Sequence, residues 1–312
     1  MKEISNQGYK SQVALLLDVL HHVAKEECFA MHGGTAINLF VLNMPRLSVD
    51  IDLTYLPIED RSTTLQNINN ALGRIEESIK SRFPQVQLLN KPDSGRIAIR
   101  KDGVEIKVEA NIVKRGIISP IKRMILCDKA RQDYNSFIAF PIVPFGQLYG
   151  GKICAALDRQ HPRDLFDVKV LLEREGFSDE VRKGFIFCLL SGERPFHEML
   201  LPNFKDQRQA MTNQFAGMSN KAFSYEDFEE TRMNLVRTVS KSLTQEDKDF
   251  LLSFKDCKPD WSIYNFERFP AVQWKLQNLK KLKENNPNKY NDLFEALKRG
   301  LEGMKLKSKL GM

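Results

Sequence analysis

Cysteine and histidine are both scarce in this chain of 312 residues, and neither is placed for chemistry. The five cysteines are widely separated, odd in number and never arranged as Cys-x-x-Cys. This pattern indicates neither a disulfide framework nor a zinc site. The five histidines show no metal-ligand spacing either. We therefore expect buried, reduced thiols and structural histidines.

Long apolar runs are also absent. No window approaches the roughly 18 consecutive apolar residues of a membrane span. The N-terminus, MKEISNQGYKSQ, lacks the apolar run of a signal peptide. The hydrophobic content of 42% still supplies a substantial core for one large domain or two ordinary ones. We expect a globular, cytoplasmic protein that has no membrane partner.

Positive charge is concentrated near the C-terminus. The net charge is +7, and residues 271–312 hold ten Lys and Arg against four Asp and Glu. Such an excess attracts nucleic acid through its phosphates without reading sequence. A solvated helix face with a lysine tail is the plainer interpretation of the same charges. Charge alone therefore agrees with an RNA partner but does not establish one.

The first half of the chain alternates helical and strand-like patterns. Apolar residues recur at helical spacing in residues 10–27 and again from Ser62, whereas CFAMH, residues 28–32, is typical of a strand. Residues 96–113 alternate on both sides of Asp102-Gly103, a strong hairpin signal. A third apolar run, FIAFPIVPF, ends this part of the chain. These patterns predict a small sheet covered by helices.

Helical periodicity dominates beyond Pro144. The periodic segments are residues 147–158, 162–175, 178–191, 225–242 and 244–255. Pro162 in a first turn, and Thr244 followed three residues later by Asp247, mark two of the helix starts. We therefore predict an α+β fold with two domains, residues 1–143 and a mostly helical domain of residues 144–312.

Two carboxylates share one face of the predicted strand SVDIDLTY. Side chains alternate along a strand, so Asp50, Asp52 and Thr54 point one way and the apolar residues point to the core. Asp50 and Asp52 are then roughly 6.6 Å apart along the strand and can converge on a divalent cation. Such a pair arises easily by chance, and by itself it is more often a solvated strand face.

A second strand carries a similar acidic face. In GVEIKVEANIV, Glu105, Lys107, Glu109 and Asn111 share one side. If this strand neighbours the first, a third carboxylate lies beside the Asp pair, as a two-metal phosphoryl-transfer site requires. Glu109 is our choice for that third metal ligand, and Glu105 is the second candidate.

The turn Gly33-Gly34-Thr35 precedes this first acidic strand. Glycines let the backbone approach a phosphate, and the amides at the start of a helix in AINLFVL favour anions. Thr35 would add a hydroxyl donor. By itself, the motif is more commonly a helix capped by Thr with glycines for the turn.

These features follow one another in a familiar order: Gly-Gly-Thr, a helix, Arg46-x-Ser48-x-Asp50-x-Asp52, and a carboxylate on a later strand. The order resembles that of the polymerase-β-type nucleotidyltransferases. GGTAINLF followed by RLSVDIDL more closely resembles the AbiEii/AbiGii toxin family of bacterial toxin–antitoxin systems. The resemblance implies a polymerase-β-like domain with a small mixed sheet and covering helices, followed by a helical domain that completes the active site.

The resemblance also implies roles for the motif residues. Gly34 and Thr35 would hold the triphosphate of an NTP, with Gly33 in the same turn, and Asp50 and Asp52 would bind two Mg²⁺ ions. Arg46 and Ser48 would support this loop.

Two motif positions depart from the wider superfamily. This sequence has Thr35 where Ser is usual and Glu109 where Asp is usual. Both substitutions keep the chemistry, since Thr retains a hydroxyl and Glu retains a carboxylate.

A later basic segment, GQLYGGKICAALDRQHPRDLFDVKVLLE, admits two interpretations. Residues 146–152 satisfy GxxxxGK, most of a phosphate-binding P-loop, but Ile153 stands where a Ser or Thr hydroxyl is needed. Alternatively, Lys152 and Arg159 lie seven residues apart on one helix face and point at a polyanion. An amphipathic helix with a solvated basic edge would also explain these residues.

The helical interpretation resembles the family's later motif of Lys, Arg and Arg-Asp-x-x-Asp. By that resemblance Lys152 binds the triphosphate and stabilises charge on the leaving pyrophosphate, with Arg159 beside it. Asp164 is a catalytic candidate that orients a base or the acceptor.

The leading hypothesis is a Mg²⁺-dependent toxin that transfers NMP from an NTP and releases pyrophosphate. The resemblance implies an RNA acceptor such as a tRNA end, a cognate antitoxin, and a place in phage defence by abortive infection. One alternative is the same chemistry on a small molecule or a protein hydroxyl. Another is a non-enzymatic basic protein that binds RNA.

Overall fold

The structure is a computed structural model that describes residues 6–309. The chain forms two compact units. The first comprises residues up to Pro144 together with Thr212–Ala222, and the second comprises Phe145–Met211 together with the residues from Phe223 onward. A segment from late in the sequence therefore belongs to the first unit, and its Met218 main-chain oxygen accepts a hydrogen bond from Leu47 at 2.7 Å.

The first unit is built on a seven-stranded mixed sheet with the order β3-β4-β5-β2-β1-β7-β6. Its strands are β1 (Phe29–His32), β2 (Asp50–Tyr55), β3 (Gln87–Lys91), β4 (Arg96–Lys101), β5 (Val104–Asn111), β6 (Lys122–Ile125) and β7 (Ala139–Ile142). Its helices are α1 (Asn6–Val23), α2 (Gly33–Ala36), α3 (Arg61–Arg82) and α4 (Asp128–Tyr134). Strand β2 runs parallel to β5, and β1 runs parallel to β7, whereas the other neighbouring strands are antiparallel.

One face of the sheet is apolar because its strands alternate. Ile51 and Leu53 of β2 and Ile106 and Val108 of β5 are buried, and the side chains between them are more exposed. Helices α1 and α3 also bury apolar stripes. The hairpin predicted at Asp102-Gly103 is confirmed, and both residues have the positive φ that such a tight turn requires.

Several elements of this unit differ from expectation. The first helix ends at Val23 rather than near residue 27. The helix expected in AINLFVL starts earlier and is not a regular α-helix. It begins with α2 at Gly33 and continues as a π-helical segment at Ile37–Val41. Strands β3 and β6 and helix α4 were not foreseen, because short, partly exposed edge elements give weak hydrophobic patterns.

The second unit is helical, as expected of the latter half of the chain. Its helices are α5 (Phe145–Asp158), α6 (Pro162–Arg174), α7 (Asp179–Leu190), α8 (Phe196–Leu200), α9 (Arg208–Ala210), α10 (Tyr225–Ser242), α11 (Gln245–Lys255), α12 (Pro270–Asn285) and α13 (Pro287–Lys309). The start predicted at Thr244 is confirmed, and Thr244 and Asp247 form a full capping box. No helix within residues 6–309 is long and apolar enough to cross a membrane.

The P-loop interpretation of residues 146–152 is wrong. This segment lies inside α5, and its glycines allow α5 to touch α7. A Cβ on Gly150 would lie 2.3 Å from the carbonyl carbon of Gly184, and a Cβ on Gly184 would lie 1.9 Å from the carbonyl oxygen of Gly146. The glycines are therefore required for close helix packing rather than for a phosphate.

Candidate active site

The two acidic strands are neighbours in the sheet. Strands β2 and β5 run parallel, with Asp52 directly opposite Glu109 and Asp50 opposite Lys107. The backbone pairing therefore brings the carboxylate-bearing positions 50, 52 and 109 onto one face of two adjacent strands, as the alternation of the sequence predicted. Glu105 lies beyond the start of β2, so the register favours Glu109 over Glu105 as the third acidic position.

The carboxylates themselves do not converge in this structure. Glu109 Oε1 lies 2.8 Å from Arg96 Nε on β4, and Glu105 forms an ion pair with Arg100 on the same strand. Among residues 6–309 there is no group of three or more His, Cys, Asp or Glu side chains arranged to hold a metal ion. The two β5 acids are thus partnered by arginines that the sequence did not single out.

The glycine turn is fitted closely to the acidic strand. Gly33 has φ +76°, and a Cβ there would lie 2.2 Å from Asp52 Oδ2. A Cβ on Gly34 would meet Arg46 Nη2 at 2.8 Å and Ser48 Oγ at 2.9 Å. Both glycines are therefore needed because side chains from the strand region occupy the space of a Cβ.

Thr35 is held internally. Its side chain is fully buried, and its Oγ1 lies 3.0 Å from Ser48 Oγ and 2.5 Å from the main-chain oxygen of Asp50. Arg46 is also buried and donates from Nη1 to the main-chain oxygen of Leu47 at 2.9 Å. These contacts fasten the turn to the start of β2. Contact of the Thr35 hydroxyl with a phosphate stays a prediction.

The donor set fits a divalent cation of the Mg²⁺ type. Asp50 and Asp52 supply hard carboxylate oxygens from one strand face, and the absence of a Cβ on Gly33 leaves the Asp52 carboxylate room at the turn. Asp50 and Asp52 would hold such an ion. Glu109 can join them only after it separates from Arg96.

His32 also lies in this region and was not identified from the sequence. It is paired with Asp52 across β1 and β2, and its Nδ1 lies 3.0 Å from Thr54 Oγ1. A signal for it existed in the sequence, since His32 directly precedes the glycine turn. The antiparallel register that places it beside Asp52 could not be derived from spacing alone.

The basic residues of α5 form a buried cluster in the second unit. Lys152 Nζ lies 2.9 Å from Asp164 Oδ1 and 3.1 Å from Asp167 Oδ2. Arg159 donates to Asp164 through two nitrogens, at 2.5 Å and 2.9 Å. Two cations and two carboxylates therefore balance one another, and Lys152, Asp164 and Asp167 are buried.

This cluster also sets the ionisation of Asp164. Burial opposes the charged form, but the charges of Lys152 and Arg159 and their hydrogen bonds outweigh it and hold the pKa of Asp164 well below its usual value. Asp164 is therefore an anion that accepts hydrogen bonds from both cations. Whether Lys152 also binds a triphosphate, or Asp164 takes part in catalysis, stays a prediction.

Comparison with known proteins identifies a family and similar solved structures. A family model described as "Nucleotidyl transferase AbiEii toxin, Type IV TA system" matches residues 14–278. The nucleotidyltransferase toxin MenT4 of Mycobacterium tuberculosis H37Rv is structurally similar, with a TM-score of 0.58 and 16% identity over 85% of this chain and 93% of that chain. At this identity the likeness shows a shared fold. No curated protein matches the sequence significantly.

Proposed function

Since this chain belongs to the AbiEii nucleotidyltransferase toxin family of type IV toxin–antitoxin systems, we propose that it transfers NMP from an NTP to an acceptor hydroxyl in a Mg²⁺-dependent reaction that releases pyrophosphate. The observation that carries the proposal is the pairing of Asp52 with Glu109 on parallel neighbouring strands, with Asp50 on the same face. Carboxylate-bearing positions brought side by side on adjacent strands are what a two-metal phosphoryl-transfer site needs.

Asp50, Asp52 and Glu109 are the proposed metal ligands. Two bound Mg²⁺ ions would supply Lewis-acid activation of the attacking oxygen and charge neutralisation on the phosphates. The chain's own contribution is to fix the ligand directions. Asp50 and Asp52 are fixed by their strand, and the Thr35 hydroxyl secures the backbone at Asp50.

The triphosphate is proposed to bind at the glycine turn. Gly33 and Gly34 let the backbone approach the phosphates closely, and Arg46 beside Gly34 adds positive charge. Ser48 holds Thr35 and so supports the same turn. Lys152, Arg159 and Asp164 remain proposed contributors from the second unit, with the ion-pair cluster as their observed state.

The acceptor is proposed to be RNA, and a tRNA end is the form that the family resemblance suggests. The excess of six positive charges in residues 271–312 supports a polyanionic acceptor. Membership of a toxin family implies a cognate antitoxin. We propose that the pair acts in phage defence.

The direct test is label transfer. Wild-type protein is incubated with each α-labelled NTP, Mg²⁺ and total RNA, and is compared with Asp50→Asn and Asp52→Asn. Glu77→Gln, which removes an exposed carboxylate on α3, is the matched control. We expect label on RNA with wild type and Glu77→Gln only. If wild type labels no RNA, protein or small molecule and binds no NTP with Mg²⁺, the enzyme proposal is wrong.

A further inference from the structure

The sheet face that carries the carboxylates continues across β5, β4 and β3 as a row of charged side chains. In register with Asp52 come Glu109, Arg96 and Lys91, one from each successive strand. Strands lie about 4.8 Å apart, so this row spans about 14 Å. That length covers several steps of a stacked nucleic-acid strand, at about 3.4 Å each.

Positive charge exceeds negative charge on this part of the face. The side chains of β3, β4 and β5 that point the same way include four cations and two acids: Lys91, Arg96, Arg100, Lys107, Glu105 and Glu109. Each of the two glutamates forms an ion pair with one of the two arginines. Within residues 6–309, neither Lys91 nor Lys107 forms an ion pair, so the face carries two cations that are available to a ligand.

The same face is open. Leu89, in the middle of β3, is 57% exposed, and Ala98, its partner on β4, has a small side chain. At the hairpin end of the face lies a cleft of about 530 Å³, and the charged side chains Arg100, Lys101 and Glu105 are among its lining residues. An open floor with surplus positive charge fits an extended polyanion better than a compact ligand.

The contact between Arg96 and Glu109 is weak enough for another anion to replace Glu109 as the partner of Arg96. Arg96 Nε approaches Glu109 Oε1 to 2.8 Å, yet that nitrogen has no hydrogen-bond partner of acceptable geometry. The two side chains are 42% and 35% exposed, so the pair gains little from its Coulomb attraction. A phosphate can accept two parallel hydrogen bonds from a guanidinium and would compete for Arg96.

We propose that the face formed by β3, β4 and β5 binds the phosphate backbone of the RNA acceptor, and that an RNA phosphate draws Arg96 away from Glu109, freeing this carboxylate for the metal. The inference rests on the proposed function, since it concerns the acceptor of that reaction. Arg96 is a positioning residue, because it acts through Glu109. Metal and RNA then favour each other's binding, and this coupling is reciprocal.

Docking is tested by RNA affinity without turnover. Anisotropy of a short fluorescent single-stranded RNA is measured for wild type, for Lys91→Gln/Lys107→Gln, and for the control Lys122→Gln/Arg123→Gln on edge strand β6. We expect the first double variant to weaken binding about tenfold and to lower the salt slope by about 1.4. The control is expected to match wild type. Equal affinities of the two double variants would overturn the docking proposal.

Coupling is tested by Mn²⁺ titration followed by electron paramagnetic resonance, with and without the same RNA and without NTP. Asp52→Asn with RNA gives the baseline of metal bound by RNA itself. We expect RNA to raise the Mn²⁺ affinity of wild type several-fold, and Arg96→Gln to reach that affinity without RNA. Arg96→Lys should restore part of the RNA dependence. The coupling is wrong if RNA leaves the Mn²⁺ affinity of wild type unchanged or if Arg96→Gln lowers it.

The outcomes separate this inference from the proposed function. Label transfer by a protein whose RNA affinity is insensitive to Lys91 and Lys107 would leave the transferase intact and reject this face as the docking surface. Transfer of label to protein instead of RNA would likewise leave the transferase intact and reject this face as the docking surface of an RNA acceptor. RNA binding on this face, with no label transfer to any acceptor and no Mg²⁺-dependent NTP binding, would reject the transferase and leave this face as an RNA-binding surface.

Discussion

The carboxylate of Asp52 occupies the space beside Gly33 that a side chain would fill, with Oδ2 only 2.2 Å from the position of a Cβ. The turn and the acidic strand are thus fitted to one another. A side chain at Gly33 would displace one of the proposed metal ligands, and this links a backbone feature to the chemistry of the site.

Gly33→Ala should therefore lower both stability and label transfer. An alanine at φ +76° costs about 1–2 kcal/mol of unfolding free energy, and its methyl group also pushes the Asp52 carboxylate aside. Urea unfolding measures the loss of stability, and Mn²⁺ affinity together with label transfer measures the effect on the site. Gly176→Ala is the matched control, since Gly176 has φ +69° and a Cβ added there would meet no heavy atom within 4 Å beyond its chain neighbours. The same loss of Mn²⁺ affinity in both variants would contradict the fit between Gly33 and Asp52.

Lys152→Met should strongly destabilise the second unit. The change removes the cation that the buried carboxylates of Asp164 and Asp167 share, and breaking a buried pair costs about 3–5 kcal/mol. Urea unfolding followed by circular dichroism measures the loss. The double variant Lys152→Met/Asp167→Asn also removes one of the two carboxylates left without Lys152, and it should recover much of the stability. Full stability of Lys152→Met alone would show that the cluster does not support the fold.

The depressed pKa of Asp164 predicts loss of stability in acid. Its folded-state pKa lies below the unfolded value of about 3.9, so its contribution is complete above that value and is lost as pH falls toward the folded pKa. We expect the unfolding free energy of wild type to decline below about pH 4 more steeply than that of Asp164→Asn. Urea titrations across the acid range measure this difference. Parallel pH profiles of the two proteins would contradict the assignment.

Turns and helix caps could be predicted from the sequence, whereas ion pairs between side chains on different elements could not. Asp102-Gly103 and the Thr244 capping box were correct because turn and cap chemistry depends on residues close in the chain. The pairing of Arg96 with Glu109 was missed because it depends on the register of two strands. Lys152 was expected to face a polyanion, yet its observed partners are acids of α6, which only the packing of two helices reveals.

Gly184→Ala should destabilise the protein, whereas Gly151→Ala should not. A Cβ on Gly184 would lie 1.9 Å from the backbone oxygen of Gly146, which cannot rotate away, so α5 and α7 must separate at a cost of about 1–3 kcal/mol or more. A Cβ on Gly151 meets only Cys188 Sγ, at 3.8 Å, and gains up to about 1 kcal/mol of helix propensity. Thermal unfolding of the two variants measures the contrast. If Gly184→Ala unfolds at the same temperature as wild type, the contact between α5 and α7 does not explain why these positions are glycines.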